Sequence, residues 1–239
     1  MWMAIFFAIE AMALAGTLGV AATGRTQTAF VAGFNTMLIV SAIYIFPAGL
    51  GARAALIFAM VVIYLARMNW VLLAWRAQTA VSKIDATASG FQKYFLSFVL
   101  ANSVGWGYCL PFYFAARRTE SVNWVDGMSC CIYVAGTVVH FLSDYQKRRF
   151  KQQPDSKDRI LDTGLWSASR HPNYFGDFLI YVSFAVISGR VWGWAAPMLN
   201  LAQYVFDAIP KNESWAAQRY GGAWDDYRKR TKAFLPYIV

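Results

Sequence analysis

Apolar runs of about 18 to 25 residues recur along most of this chain, each long enough to cross the hydrocarbon core of a bilayer as a helix. Inside lipid a backbone finds no water to bond, so its polar groups must pair within the segment, and runs of this kind specify helices. The fold class that follows is all-α: a polytopic membrane protein of about seven transmembrane helices with a C-terminal amphipathic cytosolic helix. Spans are expected at 3–23, 28–49, 54–75, 94–115, 123–143, 172–189 and 191–209. A composition of 58% hydrophobic and 15% charged residues is far from that of soluble domains and fits one integral membrane domain over 1–239. The first run begins at Met1 with no basic leader or convincing cleavage site, and is expected to be a retained span.

Cytoplasmic loops are enriched in Lys and Arg, which orients the spans. Arg25, then Arg76, Lys83 and Lys93, the cluster from Lys147 to Arg170, and the basic tail share one side of a seven-span protein. The other side holds only Arg53, Arg117, Arg118 and Arg190. The N-terminus is therefore expected outside and the C-terminus in the cytosol. A net charge of +9 could suggest nucleic acid, but the basic residues are juxtamembrane, which points instead to anionic membrane lipids and a phosphorylated cofactor. Cys109, Cys130 and Cys131 lie in apolar segments without metal-ligand spacing and read as small buried hydrophobes.

The most informative stretch runs from His140 to Asp177, where an apolar helix gives way to a basic loop and the next apolar segment opens with RHPNY. If the helix continues past the membrane surface, His140, Asp144, Lys147 or Arg148, and Lys151 fall on one face. An imidazole, an acceptor and then cations along one face suit a nucleotide, with ribose at one end and phosphates at the other. Arg159 and Arg170 add fixed positive charge, His171 and Tyr174 belong to the RHPNY motif, and Asn173 and Asp177 sit four apart on the following helix. Pro172 fits the first turn of that helix, where its missing N–H costs nothing. The loop cations alone would serve equally as a positive-inside collar. A collar needs no His, Asn and Asp at helical spacing, and polar groups in a membrane are expensive without partners.

Elsewhere the chemistry is sparser. Glu10 in the first span is an intramembrane carboxylate, and Asn35 in the second must find a hydrogen bond from a ligand or a neighbouring helix; both are candidate substrate contacts. Tyr64 and Arg67 share a face of the third span, where a phenol beside a cation can donate to a carbonyl oxygen; a core tyrosine beside a snorkelling arginine is the plainer reading. Gly16, Gly19 and Gly24 follow no strand and suggest close helix packing, not a phosphate loop. The polar segment between Arg76 and Lys93 is expected to be a flexible lid. In the tail, Tyr220, Trp224 and Tyr227 fall at i, i+4 and i+7, so a helix continuing through Gly221 and Gly222 would carry aromatics on one face, either at the membrane surface or as a flap over the cofactor. No GxGxxG follows a strand, so a Rossmann domain is excluded.

The segments SDYQKRRFK, RILDTGLWSASRHPNYFGD, NESWAAQRYGGAWDDY and the closing FLPY resemble the steroid 5-alpha-reductase superfamily, including sterol reductases and a bacterial membrane branch. The resemblance covers about the C-terminal 100 residues. It implies NADPH contact by Asp144, Lys151, Arg159, Asn173 and Tyr220, with Asp177, Trp166 and Asn212 nearby in the sterol reductases; Tyr227 joins this set from the tail. His140 stands where steroid reductases carry an amide side chain, and Lys151 where they carry Arg. Tyr64-x-x-Arg67 matches the Tyr and Arg of the steroid enzymes, in which that Tyr polarises the substrate ketone. The Gln-Glu pair of their second span is missing here.

The expectation is an NADPH-dependent oxidoreductase of a bacterial inner membrane, acting on a C=C bond of a hydrophobic steroid- or sterol-like lipid. Residues 1–115 would supply the substrate side and 116–239 the cofactor-binding half. RHPNY and a Tyr-rich tail also resemble the isoprenylcysteine and phospholipid methyltransferases, which use S-adenosylmethionine; the excess of cations over 147–159 and the DTGLW lead-in favour the reductase. A lipid transporter would be expected to show paired half-helices or inverted repeats, and none are visible.

Overall fold

The computed structural model describes residues 1–49, 51–74, 81–157 and 159–236, and among them there are helices and no strands. The helices are α1 (Trp2–Thr23), α2 (Gln27–Ile45), α3 (Ala52–Ala74), α4 (Val81–Thr87), α5 (Gly90–Asn102), α6 (Leu110–Ala115), α7 (Trp124–Lys151), α8 (Leu165–Ala168), α9 (Pro172–Ser188), α10 (Ala195–Gln203), α11 (Ile209–Tyr220) and α12 (Gly222–Arg230). Wide π turns join α5 to α6 at Ser103–Tyr108 and α10 to α11 at Tyr204–Ala208. Five helical segments are long and apolar enough to cross a bilayer: Trp2–Thr23, Gln27–Ala48, Ala52–Ala74, Gly90–Ala115 and Trp124–Lys151. This is an integral membrane protein. The expected sixth span falls on α9, with 17 residues, and the seventh on the broken run of a 3₁₀ turn, α10 and a π turn.

The chain divides into two compact units, Met1–Asp126 with Phe184–Ala196, and Gly127–Ser183 with Pro197–Val239. In the first, α1, α2 and α5 pack closely because small residues let backbones approach: a Cβ at Gly16 would stand 3.2 Å from Ala32 Cβ and from Ser97 Cβ. Gly19 likewise faces Thr28, whereas Gly24 does something else, ending α1 in the left-handed conformation at φ +68°. The segment expected to be a lid contains α4; Arg76 and the Lys83 side chain lie outside the described residues, as does Tyr237 of the closing FLPY. Ser89 and Gln92 form a reciprocal capping box at the start of α5.

The first unit also buries a charge network. Arg53 Nε and Nη2 donate to Asp126 Oδ1 and Oδ2 at 2.7 and 3.0 Å, and the same guanidinium donates to the carbonyls of Glu120 and Ser121 at 2.8 and 2.9 Å. Asp126 in turn accepts from Asn123 N at 2.9 Å, and Arg118 Nη1 lies 3.7 Å from it. Each carboxylate oxygen is satisfied, as a buried ion pair requires.

In the second unit the tail is two helices. Gly221 adopts φ +53°, ψ −128°, a region open in practice only to glycine, and ends α11 before α12 begins. This corrects the single amphipathic helix: Tyr220 closes α11, while Trp224 and Tyr227 are buried on α12.

Candidate functional site

α7 runs for 28 residues, about 42 Å at 1.5 Å per residue, so it outlasts a bilayer core and brings His140, Asp144, Lys147, Arg148 and Lys151 onto one continuous helix. It meets α9 at two glycines: a Cβ on Gly176 would stand 2.5 Å from His140 N, and one on Gly136 2.8 Å from Gly176 O. That backbone contact brings Asp177 to His140. The imidazole lies between two carboxylates, Nδ1 3.6 Å from Asp177 Oδ1 and Nε2 3.9 Å from Asp144 Oδ2. Asp177 is 4% exposed, and its Oδ2 accepts from Tyr204 Oη at 2.6 Å and Asn200 Nδ2 at 3.0 Å.

Beside this cluster three rings stack: His171 on Tyr174 with centroids 5.3 Å apart, and Tyr174 on Tyr204 at 4.3 Å, the planes within 4° and 7° of parallel. Asn212 Nδ2 donates to the Tyr174 hydroxyl at 2.8 Å, and Phe234 of the tail packs edge-on to Phe175 and Phe178. Pro172 opens α9 as its spacing predicts.

Arg170 ties this wall to the tail. Its Nε and Nη2 meet Glu213 Oε1 at 2.8 and 2.6 Å, its Nη1 donates to the Thr231 carbonyl, and its backbone N–H donates to Lys232 O at 2.8 Å. Tyr227 Oη donates to Trp166 O, and burial pushes that phenol above its usual range. Trp166 is fixed from the other side by Nε1 donating to Ser143 O at 3.1 Å, and Gln146 Oε1 accepts from Leu165 N at 3.0 Å, where Gly164 turns at φ +62°. Burial pushes the His171 imidazole below its ordinary value. Burial raises the Glu213 carboxyl, but His171 and Arg170 outweigh it and hold that group below the usual carboxylate range.

Several polar atoms here lack partners. Lys147 Nζ stands 5.2 Å from the Trp166 ring centroid and has no hydrogen bond or ion pair among the described residues. His171 Nε2, Asn200 Oδ1 and Trp224 Nε1 are buried without a hydrogen-bond partner, the first 3.5 Å from Glu213 Oε1. Buried polar atoms are nearly always paired in a finished interior, so a cation and three orphaned atoms in one unit mark room for a ligand.

The structure thus brings together His140, Asp144, Lys147, Trp166, Arg170, His171, Tyr174, Asp177, Asn212 and Tyr227. Asn173 is half-buried on α9 with no hydrogen bond among the described residues. Arg148 and Lys151 continue the α7 face, Tyr220 lies under the Arg219 guanidinium, and Arg159 is 57% exposed in a surface pair with Asp155. In the first unit Tyr64 is buried and Arg67 half-buried on α3, with Arg67 Nη1 3.3 Å from Met68 Sδ. Asn35 exchanges hydrogen bonds with Asn69 at 2.9 and 3.1 Å, and Glu10 Oε1 accepts from Asn102 at 3.2 Å. Sequence reasoning missed Tyr204, Asn200 and Glu213. Asn200, a polar side chain in an expected span, carried a usable signal.

The family described as "Protein of unknown function (DUF1295)" matches residues 18–231. The chain belongs to DUF1295. This DUF1295 protein is 25% identical over 175 residues to the Delta(14)-sterol reductase of Saccharomyces cerevisiae, covering 66% of this chain and 39% of that one. It is 20% identical over 137 residues to 3-oxo-5-alpha-steroid 4-dehydrogenase 1 of Bos taurus, covering 56% and 51%. It is 27% identical over 135 residues to a protein-S-isoprenylcysteine O-methyltransferase of Dictyostelium discoideum, covering 53% and 54%. The chain spans about two fifths of the length of the sterol reductases it matches. These similarities bear out the resemblance to the steroid and sterol reductases.

Proposed function

We propose that this protein is a membrane reductase that uses NADPH to saturate an activated C=C bond of a flat apolar lipid, a 3-oxo-4-ene steroid or a sterol. The observation that carries the reading is Lys147, a cation held over an indole with no anion of its own. A phosphate-bearing ligand supplies that anion. The donor set fits the cofactor: Lys147, Arg148, Lys151 and Arg159 for phosphates, Asp144 and Asn173 for ribose hydroxyls, and the ring stack of His171 and Tyr174 with Trp166, Tyr220 and Tyr227 for flat rings. Arg170, Asn212 and Asp177 hold those groups in place. When bound, NADPH supplies the hydride.

In this reading α9 and the α10 run complete seven spans, with the C-terminus in the cytosol of a bacterial cell. Tyr64, with Arg67 one turn away, donates to the substrate carbonyl as enolate charge develops, and Glu10 and Asn35 line the substrate side. A well-placed donor of this kind is worth about 3 kcal/mol, so Tyr64→Phe is expected to lower turnover of an enone substrate about 100-fold while leaving the NADPH dissociation constant unchanged. Wild-type turnover in that variant removes Tyr64 from the mechanism.

The second reading, an S-adenosylmethionine methyltransferase, draws on the Dictyostelium similarity and on a ring stack that would accept any adenosine. Calorimetry and thermal shift of the detergent-purified protein with NADPH, NADP+, NADH and S-adenosylmethionine separate the two, because a ligand of the native state raises its stability by mass action. Selective stabilisation by NADPH is the expected result. Stabilisation by S-adenosylmethionine alone overturns the reductase.

A further inference from the structure

Reduction of a C=C bond consumes a proton as well as a hydride, and the second unit contains a chain of groups suited to deliver one. Asp144 is partly exposed, with 16% of its side chain accessible, and faces His140 Nε2. The other ring nitrogen of His140 faces Asp177 Oδ1, and the second oxygen of that carboxylate accepts the Tyr204 hydroxyl at 2.6 Å. The four groups alternate acceptor and donor from the accessible end to the buried one. Each gap at His140 exceeds a hydrogen bond by less than 1 Å, within reach of a turn of the imidazole or a carboxylate; such pairs are often long before ligands bind.

We propose that His140 passes protons from Asp144 to Asp177, and that Tyr204, bonded to the same carboxylate, hands the proton to the reacting molecule. In one delivery the Tyr204 O–H bond breaks and its proton goes to the acceptor. Asp177 Oδ2 returns a proton to the phenolate, His140 Nδ1–H replenishes Asp177, and Asp144 supplies His140 Nε2 with a proton taken from water. No electrons move along the chain. The terminus is marked by an independent observation: Asn200, 3% exposed and bonded through Nδ2 to the same Asp177 oxygen, leaves its Oδ1 without a donor. A hydroxyl or N–H of a bound molecule would complete it. Tyr204 stands at the start of the π turn, a helix irregularity often found at functional sites.

The use of this proton rests on the reductase reading, but the relay can be tested without cofactor or substrate. The chain has two histidines, so 15N-histidine NMR of the full-length protein in nanodiscs resolves His140 from His171, with His171→Asn giving the assignment. The groups around His140 that bear on its tautomer are Asp144 and Lys147 on α7, Tyr174 and Asp177 on α9, and Tyr204 after α10. Which nitrogen carries the proton is set by the partner of the other. Removing the Tyr204 hydroxyl makes Asp177 a better acceptor for Nδ1–H, so Tyr204→Phe should raise the Nδ1–H to Nε2–H tautomer ratio of His140 at least twofold. Asn200→Ala, which removes the other donor to Asp177 Oδ2, should do the same and serves as the second readout. Asp144→Asn should slow exchange of the His140 ring N–H with water at least tenfold. A tautomer ratio unmoved by both Tyr204→Phe and Asn200→Ala overturns the coupling through Asp177, and unchanged exchange in Asp144→Asn overturns the entry point. Loss of NADPH binding with the coupling intact would strike the reductase reading and leave the relay standing.

Discussion

The two units bury charge in opposite ways. In the first, Arg53 and Asp126 meet two-to-two, and the remaining guanidinium hydrogens go to loop carbonyls. In the second, Lys147 has no anion among the described residues, and His171, Asn200 and Trp224 each leave a buried atom idle. A closed network holds a fold together, while an open one holds a place for something else.

The contrast breaks most visibly at Asp126. Asp126→Ala strands the buried Arg53 charge and is expected to cost about 3 to 5 kcal/mol of stability in denaturant melts, most of it recovered in an Arg53→Met, Asp126→Leu double variant. Lys147→Met should behave in reverse: a melting temperature unchanged or slightly raised, and an NADPH dissociation constant about tenfold higher by calorimetry, as loss of one charge-assisted contact implies. A destabilised Lys147→Met protein with normal affinity would show that both units use charge alike.

Acid offers a gentler test. The folded His171 and Glu213 both titrate below their ordinary values of 6.5 and 4.5, so over the intervals below those values the unfolded chain binds the protons and the folded one does not. Stability attached to them is therefore present at neutral pH and lost as pH falls, first below 6.5 through His171 and then below 4.5 through Glu213. In His171→Asn the fall of melting temperature between pH 7 and pH 5 should shrink, leaving the more acidic part. The smallest effect is expected at Arg159. Its exposed pair with Asp155 is worth under about 1 kcal/mol, so Arg159→Glu should barely alter stability and raise the NADPH dissociation constant about threefold or less.

Much of the second unit could be read from spacing alone. The run of His140, Asp144 and Lys147 along one face needed only an uninterrupted helix, and α7 is one to Lys151. Pro172 announced the start of α9. Periodicity failed where the helix changes phase: the π turn at Tyr204–Ala208 adds a residue to one turn, so the stacking of Tyr204 on Tyr174 follows no 3.6-residue rule. Gly221 was visible as a weak point, but not that its backbone would take a conformation ending the helix. The Arg53–Asp126 pair joins residues 73 apart, beyond any local pattern.

The π turn after α10 also sets what lengths of chain this protein can tolerate. Removing one residue between Tyr204 and Ala208 would restore ordinary helical winding and swing everything beyond by about 100°. Glu213 would leave Arg170 and Asn212 would leave Tyr174, so a deletion of three bases in the gene, harmless in most surface loops, would here unfasten the tail from the wall it closes.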